Sequence, residues 1–409
     1  MTAGPGGSGG PAGSGGPAGS GGPAGSGDPD RREVRRARVW LCRAVEPGSL
    51  SVHRLLAAVG PVEAVRRIQA AEVGLAVRAA SEARRSQDRV TDDLAAAERL
   101  GVRLLTPEDE EWPHLGVRPM ELAAASGVAG SAPPVAIWLT GSARLDVATE
   151  HAVAIVGTRA CTPYGERVAG DLAYHLAARG WTIISGGAYG IDGAAHRGAL
   201  AAGGRTIAVI AGGLRRPYPA GHTGLFEAVR RSGLLVSEWP VDCAAQRHRF
   251  LVRNRLIAGL AAGVVVVEAR ARSGATNTAR HAGVYGRPLM AVPGPVTSAA
   301  SVGCHHLMRE RDARLVTNAE DVLEMVGRIG LDLAPLPRAE PRARDLLDPV
   351  AGRVLDGLPA TGSVGVERIA VESGVAANDV LRHLPALELR GFVEATTTGW
   401  RLTAEGRRR

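Results

Sequence analysis

Between Ala152 and Gly327 the chain alternates short apolar runs with amphipathic stretches, and nothing else in its 409 residues constrains the fold as strongly. AVAIV (152–156) is followed by a helical YGERVAGDLAYHLAARG, WTIIS by IDGAAHRGALAAGG, and TIAVIAGG, GLLVSE, VVVVEA and PLMAVPG repeat the theme. Apolar runs of this length, alternating with helices, describe strands buried on both faces of a parallel sheet. The expectation is an α/β fold over residues 147–328: a doubly wound, Rossmann-like parallel sheet.

The flanks read differently. Residues 2–27 iterate GGPAGS, which offers no apolar surface to bury, so 1–30 is expected to be a disordered tail. Residues 31–100 carry apolar positions three and four apart, with Gly60-Pro61 as a turn between helices, and predict a small helical domain of SAM or helix-hairpin type. A plain packing role and a DNA-binding hairpin are both open to it. Short strand-like pieces between Gly101 and Gly141 are broken by Pro107, Pro113, Pro119, Pro133 and Pro134, and 101–146 is read as a connector laid against the next domain. Pro335, Pro337 and Pro341 mark a linker over 329–346. The last segment, 347–409, gives three helices and a hairpin, the pattern of a winged helix, with Pro385 predicted to kink the third helix.

Charge narrows the partners. Every basic residue counted in the formal net charge of +8 is Arg, and the first thirty residues contribute only Asp28 and Asp30. A planar donor fork suits phosphate and stacks on bases, so a polyanion is the partner the composition favours. Cys42, Cys161, Cys243 and Cys304 are scattered without metal-ligand spacing, and no run approaches a membrane span or a signal sequence. A cytoplasmic protein with neither disulfides nor a metal site is expected.

In open parallel sheets, ligands bind where strands end and helix N-termini begin. Four such loops here are rich in small residues: Gly157-Thr158-Arg159, Ser185 to Gly190, Gly212 to Arg216, and Ser273-Gly274. Arg159, Arg215 and Arg216 add charge to that rim, which points to an anion site. Neither the dinucleotide fingerprint nor a phosphate-loop lysine follows the first strand, so no nucleotide cofactor is expected. Residues 247–255, RHRFLVRNR, place four Arg around Phe250 and Asn254. Pairing with carboxylates would account for the Arg, whereas the interleaved ring and amide favour nucleic acid. Asp192 and His196 lie four apart, as an acid/base pair would, but no nucleophile with a base is visible and no catalysis is expected.

The runs GTRACTPYG (157–165), SGG-x-x-GIDGAAHRGAL (185–200), Tyr218-Pro219, SEWP (237–240), F-x-x-RNRLIAGL (250–260), VVVVEA-x-x-x-SGA-x-x-TA (264–279), VPG (292–294) and SxGC-x-x-L (301–307) resemble the DNA-processing protein A family, DprA or Smf. The resemblance covers about 40–328. It implies binding and protection of single-stranded DNA in a basic pocket at the strand ends, homodimerisation through the Rossmann-like domain, and loading of the RecA recombinase in transformation or recombination. It also implies that Arg159, Arg253, Asn254 and Arg255 line that pocket, with Gly157, Thr158, Gly186, Gly187, Tyr189, Arg215, Ser273 and Gly274 beside it. Tyr189 and Val252 stand where the family commonly has a basic residue, and His305 where it has Asn. A phosphoribohydrolase on a related fold and a transcriptional regulator using the winged helix are the competing classes.

Overall fold

The computed structural model describes residues 1, 29–271, 273–327 and 343–407, so nearly all of the expected tail and most of the expected linker lie outside the described residues. The chain divides into two compact units, Met1–Ala334 and Pro335–Arg409.

The first unit is built on a nine-stranded sheet: β1 (Arg103–Leu105), β2 (Ile137–Gly141), β3 (Ala152–Val156), β4 (Thr182–Ser185), β5 (Thr206–Val209), β6 (Leu234–Ser237), β7 (Gly263–Val266), β8 (Leu289–Ala291) and β9 (Arg314–Leu315). Their order is β1-β2-β6-β5-β4-β3-β7-β8-β9. Every pairing from β6 across to β9 is parallel, with Ala154 in register with Ile184 on one side and Val264 on the other. The chain steps outward in opposite directions from β3 and β7, so the switch point where ligands bind in such sheets lies between them.

Side chains alternate between the faces of a strand, and β3 shows where they go. Val153 and Ile155 pack with Leu172 and Leu176 of the helix Pro163–Ala178, while Ala152, Ala154 and Val156 pack with Leu256 and Leu260 of the helix Arg247–Leu260. Helices therefore cover both faces, which is why all five residues of β3 can be apolar.

The stretch 101–146, read as a connector, instead supplies two strands of this sheet. β2 pairs antiparallel with β6, and β1 pairs antiparallel with β2. The prolines flank these strands, except for Pro119, which sits inside the helix His114–Ala125. IWLT of β2 is fully buried. Its antiparallel pairing breaks the strand–helix rhythm that made the rest of the sheet legible. The helices before it, Pro29–Ala44, Leu50–Gln69, Leu75–Ser81 and Val90–Arg99, belong to the same compact unit. Trp40 and Leu41 share a core cluster with Trp138, Ile210 and Leu235. Gly60, at φ 75° and ψ 168°, interrupts Leu50–Gln69 where the turn was expected.

Among its described residues the second unit holds three α-helices, Pro349–Asp356, Val366–Ser373 and Ala377–Leu389, after a short 3-10 turn Ala343–Leu346, and a hairpin of β10 (Val393–Thr396) with β11 (Gly399–Leu402). Asp348 caps the first helix by accepting from the amides of Val350 and Ala351, both at 3.0 Å, with Pro349 in the first turn where its missing N–H is harmless. Val354, Ile369, Val380, Leu384 and Phe392 form its core. The third helix runs on through Pro385 to Leu389, where a kink was expected; buried Leu384 and Leu387 on either side hold it in the core.

Candidate functional site

The carboxyl ends of the strands bring three of the four glycine loops into contact with one another or with neighbouring segments. Gly190 sits at φ 75°, and a Cβ there would lie 2.4 Å from the Thr158 carbonyl, so the loops after β3 and β4 touch backbone to backbone. Gly157 is pressed against Ile191, where a Cβ would meet the side chain at 2.5 Å. The loop after β5 is held against the segment after β6: the Arg215 amide donates to the Val241 carbonyl at 2.9 Å, and a Cβ on Gly213 would lie 2.3 Å from the same oxygen. Arg159, in the loop after β3, and Arg215 and Arg216, in the loop after β5, are exposed. None of the three forms an ion pair among the described residues, whereas arginines elsewhere in the unit, such as Arg43 and Arg38, are taken up by carboxylates.

Rings line the same edge. The Arg159 guanidinium carbon lies 4.8 Å from the centre of the Phe250 ring, and Tyr218 meets that ring edge-on at 5.6 Å. Tyr189 stands edge-on to His222 at 4.7 Å, and His222 Nδ1 lies 3.0 Å from the Gly187 carbonyl oxygen. Tyr189 and Tyr218 keep 46% and 50% of their surface exposed, enough for a planar ligand to stack on either. Tyr218 and His222 were not singled out from the sequence as site residues. The Tyr-Pro pair just after Arg215-Arg216 is the signal that pointed there.

In the 247–255 segment most of the arginines turn inward. Only Arg247 is exposed and without an ion pair among the described residues. Arg249 is buried over the Trp239 ring and donates to Glu46 at 2.9 Å and to the Ala244 carbonyl at 3.0 Å. Arg253 donates to the carbonyls of Gly186, at 2.7 Å, and Val209. Asn254 donates to the Gly274 carbonyl at 3.1 Å, and Arg255 donates to Glu238. Arg253, Asn254 and Arg255 are 4%, 7% and 1% exposed. The reason is local: from Arg253 to Leu260 every residue of this helix is buried, leaving its second half no solvent face. A buried cation is tolerable only when paired and hydrogen-bonded; strand-end carbonyls serve Arg253, and Glu238 serves Arg255 through its Nη2, leaving Arg255 Nε and Nη1 without a hydrogen bond.

Asp192 completes that interior network. Its Oδ2 accepts from the amides of Gly186 and Ala188, at 3.2 and 3.3 Å. Burial raises the Asp192 pKa, opposed by Arg253 and the two amides. Burial also pushes Arg253 down to about 10, opposed by Asp192, which leaves it a cation at neutral pH. The acid/base pairing of Asp192 with His196 is not made. His196 is fully buried with Nδ1 2.7 Å from Thr206 Oγ1, and desolvation lowers its pKa to about 3. At the switch point Glu268 accepts from the amide and hydroxyl of Thr162, at 2.9 and 2.6 Å. Ser273 is half-buried, and Gly274 opens the helix Gly274–Val284 with its carbonyl taken by Asn254. Among the described residues no group of three or more His, Cys, Asp or Glu is placed to hold a metal, and no helix is long and apolar enough to cross a membrane.

Fold and site together define a mixed α/β protein whose mostly parallel sheet presents unpaired arginines and open rings at its carboxyl edge, on a scaffold of inward-turned arginines. Residues 103–327 match the profile of the DNA recombination-mediator protein A family, and the chain belongs to that family. It is 47% identical over 375 residues to a DNA processing protein DprA of Mycobacterium tuberculosis, covering 90% of this chain and 95% of the relative. Protein Smf of Escherichia coli is 37% identical over 300 residues, covering 72% and 76% of the two chains. Among solved structures, DNA processing protein A of Streptococcus pneumoniae superposes with a TM-score of 0.56 at 29% identity, covering 73% of this chain and 97% of that one.

Proposed function

We propose that this chain binds single-stranded DNA along the carboxyl edge of its sheet, protects it, and loads the RecA recombinase onto it, acting in the cytoplasm as a homodimer and without catalysing a reaction. Membership of a DNA-processing family supports the nucleic-acid part of this reading. The observation that carries it is the pairing of an exposed, ion-pair-free Arg159 with the Phe250 ring, next to the open ring of Tyr218. Arginines of this kind meet phosphates and rings meet bases, and a splayed single strand offers both at once while a duplex keeps its bases stacked inside. In this reading Arg159, Arg215, Arg216, Arg247, Tyr189 and Tyr218 contact the strand, with Gly157, Thr158, Ser273 and Gly274 flanking it. Gly186, Gly187, Arg253 and Asn254 shape the loops from behind, and Arg255 supports the helix. The three helices and hairpin of the second unit are read as a winged helix.

Titration of the full chain with single- and double-stranded oligonucleotides of one sequence tests the proposal, together with RecA assembly on single strands already covered by a competing single-strand binder. Tighter binding of the single strand and faster RecA assembly are expected. Preference for duplex would move the DNA site to the second unit, and an unchanged assembly rate would remove the loading role.

A further inference from the structure

The loop Gly186–Gly190 has the build of a phosphate seat. It follows a buried strand, leads into the eleven-residue helix Ile191–Ala201, and turns through positive φ at Gly187 and Gly190. Two of its amides, however, are already engaged: those of Gly186 and Ala188 converge on one oxygen of Asp192, a residue only 6% exposed. A buried cation lies on the other side of the same residue. A Cβ built on Gly186 would stand 2.5 Å from Arg253 Nη2 and 2.7 Å from Asp192 Oδ2, so guanidinium and carboxylate flank Gly186 with no room for a side chain. Converging amides, a helix N-terminus and a desolvated guanidinium are the groups that bind an anion, and here the anion is part of the chain.

We propose that Asp192 is a resident anion which fills the phosphate seat of the Gly186–Gly190 loop, so that the sheet edge refuses free nucleotides and polymer phosphates are met only by the exposed arginines outside it. The DNA half of this statement rests on the proposed function. The seat itself does not. A carboxylate tethered in the first turn of a helix is present at a local concentration no free phosphate reaches, and it neutralises Arg253 at the same time. Arg253 then serves as a scaffold behind the loop, and selectivity for a polymer over a mononucleotide follows from where the free cations remain.

The test removes the anion and offers another. The full chain in wild-type, Asp192→Asn and Asp192→Ala forms is melted in chloride, formate and inorganic phosphate at matched ionic strength. Asp192→Ala should melt lower in chloride and recover saturably in formate or phosphate, by roughly 5 °C or more well above the dissociation constant. Wild type and Asp192→Asn, whose side chains still fill the seat, should show no anion-specific rise, and a second change Arg253→Met should abolish the recovery. If Asp192→Ala is insoluble in chloride, its return to solution on refolding in formate gives the same reading. Absence of recovery by either route, or an equal rise in wild type, overturns the proposal. Millimolar AMP should leave oligonucleotide binding unchanged in wild type and weaken it in Asp192→Ala. Because melting involves no DNA, a wild type that fails to retain the oligonucleotide would defeat the DNA reading and leave the anion result standing.

Discussion

Arg255 and Glu238 form an ion pair inside the protein, with side chains 1% and 2% exposed, and neither reaches the surface. Burial raises the Glu238 pKa while Arg255 pulls it down, so the Glu238 charge depends on Arg255. Breaking such a pair strands one charge in the interior, a loss of about 3–5 kcal/mol, whereas replacing both partners with apolar groups is often neutral. Arg255→Met alone should therefore lower unfolding stability in denaturant by an amount of that order, and the double change with Glu238→Leu should restore most of it. A loss confined to DNA affinity, with stability intact, would put Arg255 back at the DNA surface.

Gly186 gives a sharper steric test. Its Cβ position falls within 2.7 Å of both Arg253 and Asp192, while nothing lies within 4 Å of the same position on Gly224, in the helix Thr223–Ser232. Gly186→Ala should destabilise by roughly 1–3 kcal/mol, as overpacking does, and should weaken DNA binding by shifting the loop. Gly224→Ala should be neutral or stabilising, since alanine favours a helix by up to about 1 kcal/mol over glycine. Equal stability of the two variants in a denaturant titration would contradict the packing described.

His196 ties stability to pH. Its folded pKa is lowered to about 3 from an ordinary value near 6.5, so below 6.5 the unfolded chain binds a proton that the folded chain refuses. The contribution is complete above pH 6.5 and is lost as pH falls towards 3. At about 1.4 kcal/mol per pH unit, some 2 kcal/mol should go between pH 6.5 and pH 5. His196→Gln should lower stability at pH 7 but flatten the decline to pH 5, as read from urea midpoints at the two pH values. A decline as steep as that of wild type would remove His196 as its source.

The central strands were legible because runs such as AVAIV leave no polar face and so must be covered on both sides. The first two were legible only as strand-like pieces and not as members of the sheet: Arg103–Leu105 and Ile137–Gly141 pair antiparallel, and no strand–helix alternation announces them. The burial of the arginines of 247–255 was not legible for a related reason. An arginine in sequence reads as surface, since burying one demands partners, and here those partners are distant along the chain: Arg253 meets carbonyls 67 and 44 residues away and Arg255 a carboxylate 17 residues away. Arg159 and Tyr189 were placed at the rim by their loops alone. The contact of Tyr218 with Phe250 depends on the packing of the Arg247–Leu260 helix, which spacing does not fix.

The division between outer and inner arginines leads to the last prediction. Each phosphate contact releases condensed counterions, and for single strands the slope of log affinity against log salt falls by about 0.7 per contact. Arg159 and Arg215 are exposed without ion pairs, so Arg159→Ala and Arg215→Ala should each weaken binding and flatten that slope, alike for every sequence, because phosphate contacts position a strand without reading it. Tyr218→Ala and Tyr189→Ala remove rings, not charges. They should lose the ~1–3 kcal/mol of a stacked base with the salt slope unchanged. Arg253→Met should lower stability through the lost bonds to the Gly186 and Val209 carbonyls and the lost favourable charge near Asp192, and reduce affinity only as far as the loop moves, again with the slope of wild type. Measured by fluorescence anisotropy over a series of salt concentrations, the three groups separate on two axes. A flattened slope in Arg253→Met beside an unchanged one in Arg159→Ala would reverse the assignment of outer and inner arginines.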